Sequence, residues 1–277
     1  MNNIINNLSI MYVSCDTYKS LWYPFIKLKN KYLNINNKMY LCTDIKPNID
    51  FELNNIDILY YGNKSNFTIN GNLYDRYLYY LNNITTDYIL YFYDDMYPID
   101  FIDTNIINDF ITLMIQNDDI KIIKLSLESY PFLNGIQVSY NNYNFIKANN
   151  NLDDYIFNTQ PILIKKNFFI DIINYCKLHN TFTHQNGGLE IYGTKYFRNT
   201  NYICLRSISD IIKIPYSGGI VTSGILSDNM KLFLKNKEDI DIPTYDYNLI
   251  YKITKEDYDL LGDHLKEHYK NIGLINL

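Results

Sequence analysis

Tyr88 to Tyr93 reads YILYFY, six apolar or aromatic residues in a row, and two acids, Asp94 and Asp95, close the run. A strand with one wet face alternates polar and apolar residues, whereas an unbroken run has to be covered on both faces. The chain is therefore constrained to a layered fold in which this strand is central. Adjacent carboxylates repel each other and lose hydration when buried. The strand must end where a cation, a polar ligand or water can meet them.

The surrounding sequence alternates in the way a layered α/β fold requires. Leu8 to Cys15 reads as a strand and residues 18–33 as an amphipathic helix, with Asp16 or Thr17 as N-cap and Pro24 near the first turn. Strands are expected at 38–44, 56–62, 120–127 and 160–166, with hairpin strands near 136–148. Helices are expected at 72–84, 104–116 and 167–179, and a C-terminal one at 255–271. Residues 184–197 form a glycine-punctuated segment, 210–216 (DIIKIPY) a further strand, and 216–224 (YSGGIVTSG) a glycine-rich loop. The pattern predicts a mostly parallel central sheet with helices on both faces, in one domain over 1–277. In such sheets ligands gather outside the carboxyl ends of the strands, which is where SCDTYKS and DDMYP fall.

Composition narrows the partners. Lys and Arg number 25 against 30 Asp and Glu, with no basic block, so nucleic acid is not an expected partner. The four cysteines, Cys15, Cys42, Cys176 and Cys204, are too scattered for a zinc ribbon or a small disulfide scaffold. No apolar run is long enough to span a bilayer, and the chain is expected to be soluble and cytoplasmic. With 29 tyrosines, abundant Asn, Ile and Lys and only three arginines, Arg76, Arg198 and Arg206, the composition is that of an AT-rich genome. A large DNA virus is one such source, and the compartment would then be the host cytoplasm.

Paired acids at a strand end suit a hard divalent cation, Mg²⁺ or Mn²⁺, which takes oxygen ligands and is completed by substrate phosphates. Such an ion neutralises charge on a departing diphosphate. SCDTYKSLWYPFIKLKNKY, YDRYLYYLNNITTDYILYFYDDMYP, QPILIKKNFF and GGLEIYG together resemble the polysaccharide-type, nucleotide-sugar glycosyltransferases of GT-A fold. The resemblance runs to about residue 224. It implies a nucleotide-sugar-binding half at 1–127 and an acceptor-binding half at 128–277.

Carried over position by position, the resemblance puts Ser14, Cys15, Asp16 and Tyr18 around the nucleoside, with Asp16 toward base or ribose. It puts Arg76 at the phosphates or sugar, Asp94 at the sugar hydroxyls or ribose, and Asp95 on the metal. A D-x-D triplet ending at Asp95 would begin with an acid, and the chain has Tyr93 there. An inverting transferase needs a base for the acceptor hydroxyl. Glu190 matches the family's acid near the start of a late helix, with a first-turn glutamate stabilised by the helix dipole as its plain structural reading. Asp153 and Asp154 are the rival bases, against the reading of an exposed loop pair.

The glycine-rich loop could close on a diphosphate through its N–H groups, or be an ordinary turn. His264 and His268 share a helix face but lack a third ligand in sequence reach. The implied activity is transfer of a sugar, from a UDP-sugar in most such folds, onto a glycan. One alternative is a glycan- or nucleotide-sugar-binding module without turnover, for which Tyr93 is the support. The other is a sugar nucleotidyltransferase, which normally carries a glycine-rich basic loop that SCDTYKSLW does not offer.

Overall fold

The computed structural model describes residues 4–44, 46, 49, 53, 55–62, 72–94, 96–127, 131–179 and 185–214, with 221–222, 225–226, 234–235, 238 and 240. The predicted helix at 255–271, with His264 and His268, lies outside the described residues.

Nine strands make one sheet: β1 (Leu8–Val13), β2 (Met39–Thr43), β3 (Ile56–Tyr60), β4 (Tyr88–Tyr93), β5 (Ile120–Lys124), β6 (Ile136–Tyr140), β7 (Tyr143–Lys147), β8 (Ile162–Lys165) and β9 (Ile203–Ser207). Their order is β3-β2-β1-β4-β8-β5-β9-β7-β6. Among the described residues five α-helices accompany them: α1 (Trp22–Tyr32), α2 (Asn72–Asn83), α3 (Thr104–Gln116), α4 (Lys166–His179) and α5 (Gln185–Arg198).

The unbroken run behaves as its composition requires. Leu90 and Phe92 join Ile10, Tyr12, Trp22, Phe25 and Phe110 in a core on one face, against α1 and α3. Ile89 and Tyr91 join Met11, Cys42, Tyr77, Phe169, Ile172 and Leu189 on the other, against α2, α4 and α5. Because strand side chains alternate, a strand between two helix layers has no face left for a polar residue.

The sheet is mixed rather than mostly parallel. β4 pairs antiparallel with β8, β8 with β5, β9 with β7 and β7 with β6, so half of the eight ladders are antiparallel. The cause is the path after β5. A parallel return needs a crossover to the opposite edge, but here the chain comes back to the carboxyl edge, where Leu125 N donates to Pro161 O at 3.2 Å. It can then enter β8 only in reverse. Strands from both sequence halves share this one sheet.

Two further expectations are corrected. The segment after β1 opens not as α-helix but as a 3-10 turn, Asp16–Leu21, broken at Tyr18, so that α1 starts at Trp22 with Leu21 as its cap. The last strand of the sheet is Ile203–Ser207, and Asp210–Ile214 carries none. The isoleucines there are buried all the same: Ile211 and Ile212 both donate N–H to Leu125 O at 2.9 Å and plug the core as a loop. Among the described residues no helix is long and apolar enough to cross a membrane.

Candidate active site at the carboxyl edge of the sheet

β1 and β4 are parallel neighbours with Val13 opposite Tyr93. One residue further along, Ser14 therefore faces Asp94, and Ser14 Oγ donates to Asp94 Oδ2 at 3.2 Å. The indole of Trp22 donates Nε1–H to Ser14 Oγ at 2.8 Å, and Tyr12 OH donates to the Asp94 carbonyl at 3.3 Å. Tyr12 in turn stacks on Phe25 with ring centroids 3.8 Å apart. Asp94 is only 5% exposed. A buried carboxylate needs hydrogen bonds or a cation to offset lost hydration, and the Ser14 hydroxyl supplies one such bond.

The neighbouring strand end adds a second acid that the sequence reading did not single out. Asp44 follows β2, accepts from Thr43 Oγ1 at 3.2 Å, and lies 3.9 Å from Arg76 Nη1. Arg76 reaches it from α2, on the same helix as Tyr80, whose OH donates to Thr43 O at 2.6 Å. The signal was present: MYLCT-Asp44 repeats the pattern of an apolar strand stopped by an acid, just as YILYFY-Asp94 does.

Among the other expected nucleoside contacts, Cys15 is a partly exposed thiol outside any disulfide and Tyr18 is partly buried, its N–H donating to Cys15 O at 3.1 Å. Asp16 begins the 3-10 turn, and its carboxylate lies outside the described residues. Asp95 lies outside them entirely. Of the glycine-rich loop only Val221–Thr222 is described, paired with Ile225–Leu226.

Glu190 stands on α5, six residues in, at the same edge. Its Oε1 accepts from Thr159 N at 2.8 Å and from Thr159 Oγ1 at 2.9 Å. Thr159 comes just before the reversed strand β8, which pairs with β4 through Tyr91 opposite Ile162. Ile162 is also opposite Lys124 of β5, so the chain enters β8 at the carboxyl ends of β4 and β5, the side on which Asp94 follows β4.

Burial raises the Glu190 carboxyl above the ordinary glutamate range, against the Thr159 hydrogen bonds and the charge of Lys124, which pull it down. A carboxylate whose proton affinity is raised by burial is suited to taking a proton. α5 can come this close because of Gly193. A Cβ there would lie 2.7 Å from Phe157 Cδ1, and Thr194 next to it binds Phe157 through its hydroxyl. The segment 155–159 also carries a buried acceptor, Asn158 Oδ1, with no partner among the described residues.

The rival acids are occupied differently. Asp153 is 1% exposed and accepts from Asn134 N at 2.7 Å and Asn149 N at 2.8 Å, which makes it a loop organiser. Asp154 is exposed and pairs with Arg198 Nη2 at 2.7 Å.

Among the described residues no group of three His, Cys, Asp or Glu side chains could hold a metal. The described residues of the Asp94 edge therefore do not by themselves build an all-protein cage. Its hard oxygens fit a Mg²⁺ or Mn²⁺ that draws its other ligands from a diphosphate. Two shallow hollows lie elsewhere, one around Asp87, Lys121 and Lys165, the other around Asn149–Asn151 and Arg198, and neither includes a residue of this edge.

No protein-family model and no curated protein sequence matches the chain. Among solved structures it is similar to residues 1–349 of S. aureus TarS in complex with UDP-GlcNAc, at 11% identity and TM-score 0.47, over 76% of this chain and 58% of that one. A second similar structure is 4-diphosphocytidyl-2C-methyl-D-erythritol synthase from Anaerococcus prevotii, at 10% identity and TM-score 0.43, over 87% and 100%. The glycosyltransferase GlyE of Streptococcus pneumoniae, in its apo form, follows at 13% identity and TM-score 0.41, over 71% and 44%. The chain spans about three fifths of the length of the TarS 1–349 fragment. Likeness of this degree fixes neither an activity nor a substrate.

Proposed function

We propose that the chain is a glycosyltransferase that moves a sugar from a nucleotide-sugar donor, a UDP-sugar first among candidates, to a glycan or glycoconjugate acceptor. The observation that supports this reading is that Asp94 is held by Ser14 and Glu190 by Thr159, each beside the carboxyl end of a central strand. In this reading the donor lies across the ends of β1, β2 and β4, among Ser14, Cys15, Asp16, Tyr18 and Arg76. Asp94 takes sugar or ribose hydroxyls. Asp95 is the protein ligand of Mg²⁺ or Mn²⁺, which when bound would neutralise charge on the diphosphate.

Glu190 accepts the proton of the attacking acceptor hydroxyl. The new glycosidic bond forms as the bond to the nucleotide's diphosphate breaks, with inversion at the sugar carbon. Thr159 keeps the carboxylate aimed, and the partial exposure of Glu190 leaves a path for the acceptor. Asp154, exposed and paired with Arg198, is placed second as a base.

A binding module without turnover is favoured by one observation: Tyr93 stands where a D-x-D acid would, leaving the metal fewer oxygens. A thermal-shift panel of UDP-, GDP-, dTDP- and CMP-sugars with and without Mn²⁺ tests both readings, on wild type and Asp95→Ala. Ligands that bind only the folded state raise the melting temperature by mass action. One nucleotide family should stabilise the wild type in a Mn²⁺-dependent way and lose its effect in the variant. No shift with any nucleotide would contradict the donor site, and a shift without donor consumption would leave the binding module.

A further inference from the structure

Lys124 ends β5, a strand buried between β8 and β9, and it is 0% exposed. Its ammonium makes one hydrogen bond among the described residues, to Tyr155 O at 2.7 Å, and lies 4.5 Å from the centroid of the Phe132 ring. An apolar side chain would fill this position without the desolvation that a buried ammonium suffers. Such a cation calls for a reason.

The reason lies in what Tyr155 begins. It sits at φ 49°, in the left-handed region, which is strained for a residue with a side chain. Four residues later comes Thr159, whose N–H and O–H both bind Glu190. The segment from Tyr155 to Thr159 is thus a strap fastened at one end by Lys124, in the middle by Thr194 on Phe157, and at the other end by the carboxylate.

Resting on the reading of Glu190 as the base, we propose that Lys124 is its positioning residue: the ammonium grips the Tyr155 carbonyl, fixes the strap, and so holds the Thr159 donors where they orient the carboxylate. The charge of Lys124 also favours the ionised form of Glu190. The groups that face Lys124 are Cys204 and Arg206 on β9, Glu190 on α5 and Asp153 in the preceding loop. Arg206 is opposite Lys124 in register. The Arg206 charge opposes that of Lys124, and Asp210 is the acid that acts on Arg206.

The test uses the whole chain and no substrate. In Lys124→Met, amide exchange at Thr159 should become at least tenfold faster relative to core amides such as Ile123. The Glu190 carboxyl, followed by ¹³C NMR and assigned with Glu190→Gln, should titrate at higher pH than in wild type. Lys124→Gln keeps a donor for Tyr155 O without the charge, and is the fallback should the methionine variant not fold. It should leave Thr159 protected while the Glu190 titration still moves up. An unmoved titration, or exchange that rises equally at all amides, would overturn the proposal and leave Lys124 a core cation. If the wild type consumes no nucleotide-sugar, the transferase reading fails, and these readouts still decide whether Lys124 sets Glu190.

Discussion

The two acids at the edge are placed by different means. Asp94 is placed by register: two apolar parallel strands side by side leave Ser14 and Asp94 facing each other at their common end. Glu190 is placed by packing: a helix must settle on the 155–159 strap, a glycine must let it approach, and a buried lysine must hold the strap's far end. Register is enforced by the whole sheet and tolerates little change. Packing at a strap depends on a few polar contacts, each of which can be cut separately.

Gly193→Ala should break the comparison most sharply. The added Cβ meets three atoms of Phe157 within 3.1 Å, and overpacking of this kind costs about 1–3 kcal/mol. Urea unfolding should report that loss, while donor-induced stabilisation through the Asp94 side survives. Equal damage to both sides would show that the edge behaves as one unit.

Trp22→Phe attacks the register side. It removes the indole donor to Ser14 Oγ and some buried ring volume, for about 1–2 kcal/mol in the same unfolding measurement. Amide exchange at Thr159 should not change. If it does, the strap is not independent of the β1–β4 end.

The smallest effect is a pH slope. Burial lowers the Lys124 ammonium to about 8, so between that pH and the ordinary lysine range the unfolded chain binds more protons than the folded one. Stability gained from this group therefore rises with pH through that window, by about 1 kcal/mol from pH 8 to 9. Lys124→Met should flatten the slope relative to wild type. Cys204, which faces the lysine and is itself raised to about 12, ionises first in the unfolded chain and gives the opposite slope from the ordinary thiol range upward, so the lysine is read from the difference between wild type and variant.

The register side was legible because apolar runs announce strands and the acid closing a run announces its end. β4 and α3 fall at the expected residues, and Ser14 and Asp94 meet where parallel strands require. The reversed strand β8 was not legible as such. Nothing in ILIK specifies direction, which is decided by where the preceding loop delivers the chain. DIIKIPY has the better strand composition, yet ICLRS took the place beside β5, because Ile211 and Ile212 could be buried by a loop bonded to Leu125. Lys124 was hidden for the opposite reason: in IKIIK a lysine reads as a solvent-facing position, and only the burial of both faces shows otherwise.

The most direct measurement is donor binding and donor turnover side by side in wild type, Asp94→Asn and Glu190→Gln, with Mn²⁺ and the nucleotide-sugar that gives the largest thermal shift. The two-acid site predicts that Asp94→Asn binds donor at least about tenfold more weakly, a loss of ~1.4 kcal/mol. Glu190→Gln should bind like wild type and transfer sugar about 10²–10⁴-fold more slowly. A Glu190→Gln protein that transfers at the wild-type rate, or an Asp94→Asn protein with undiminished affinity, would contradict it.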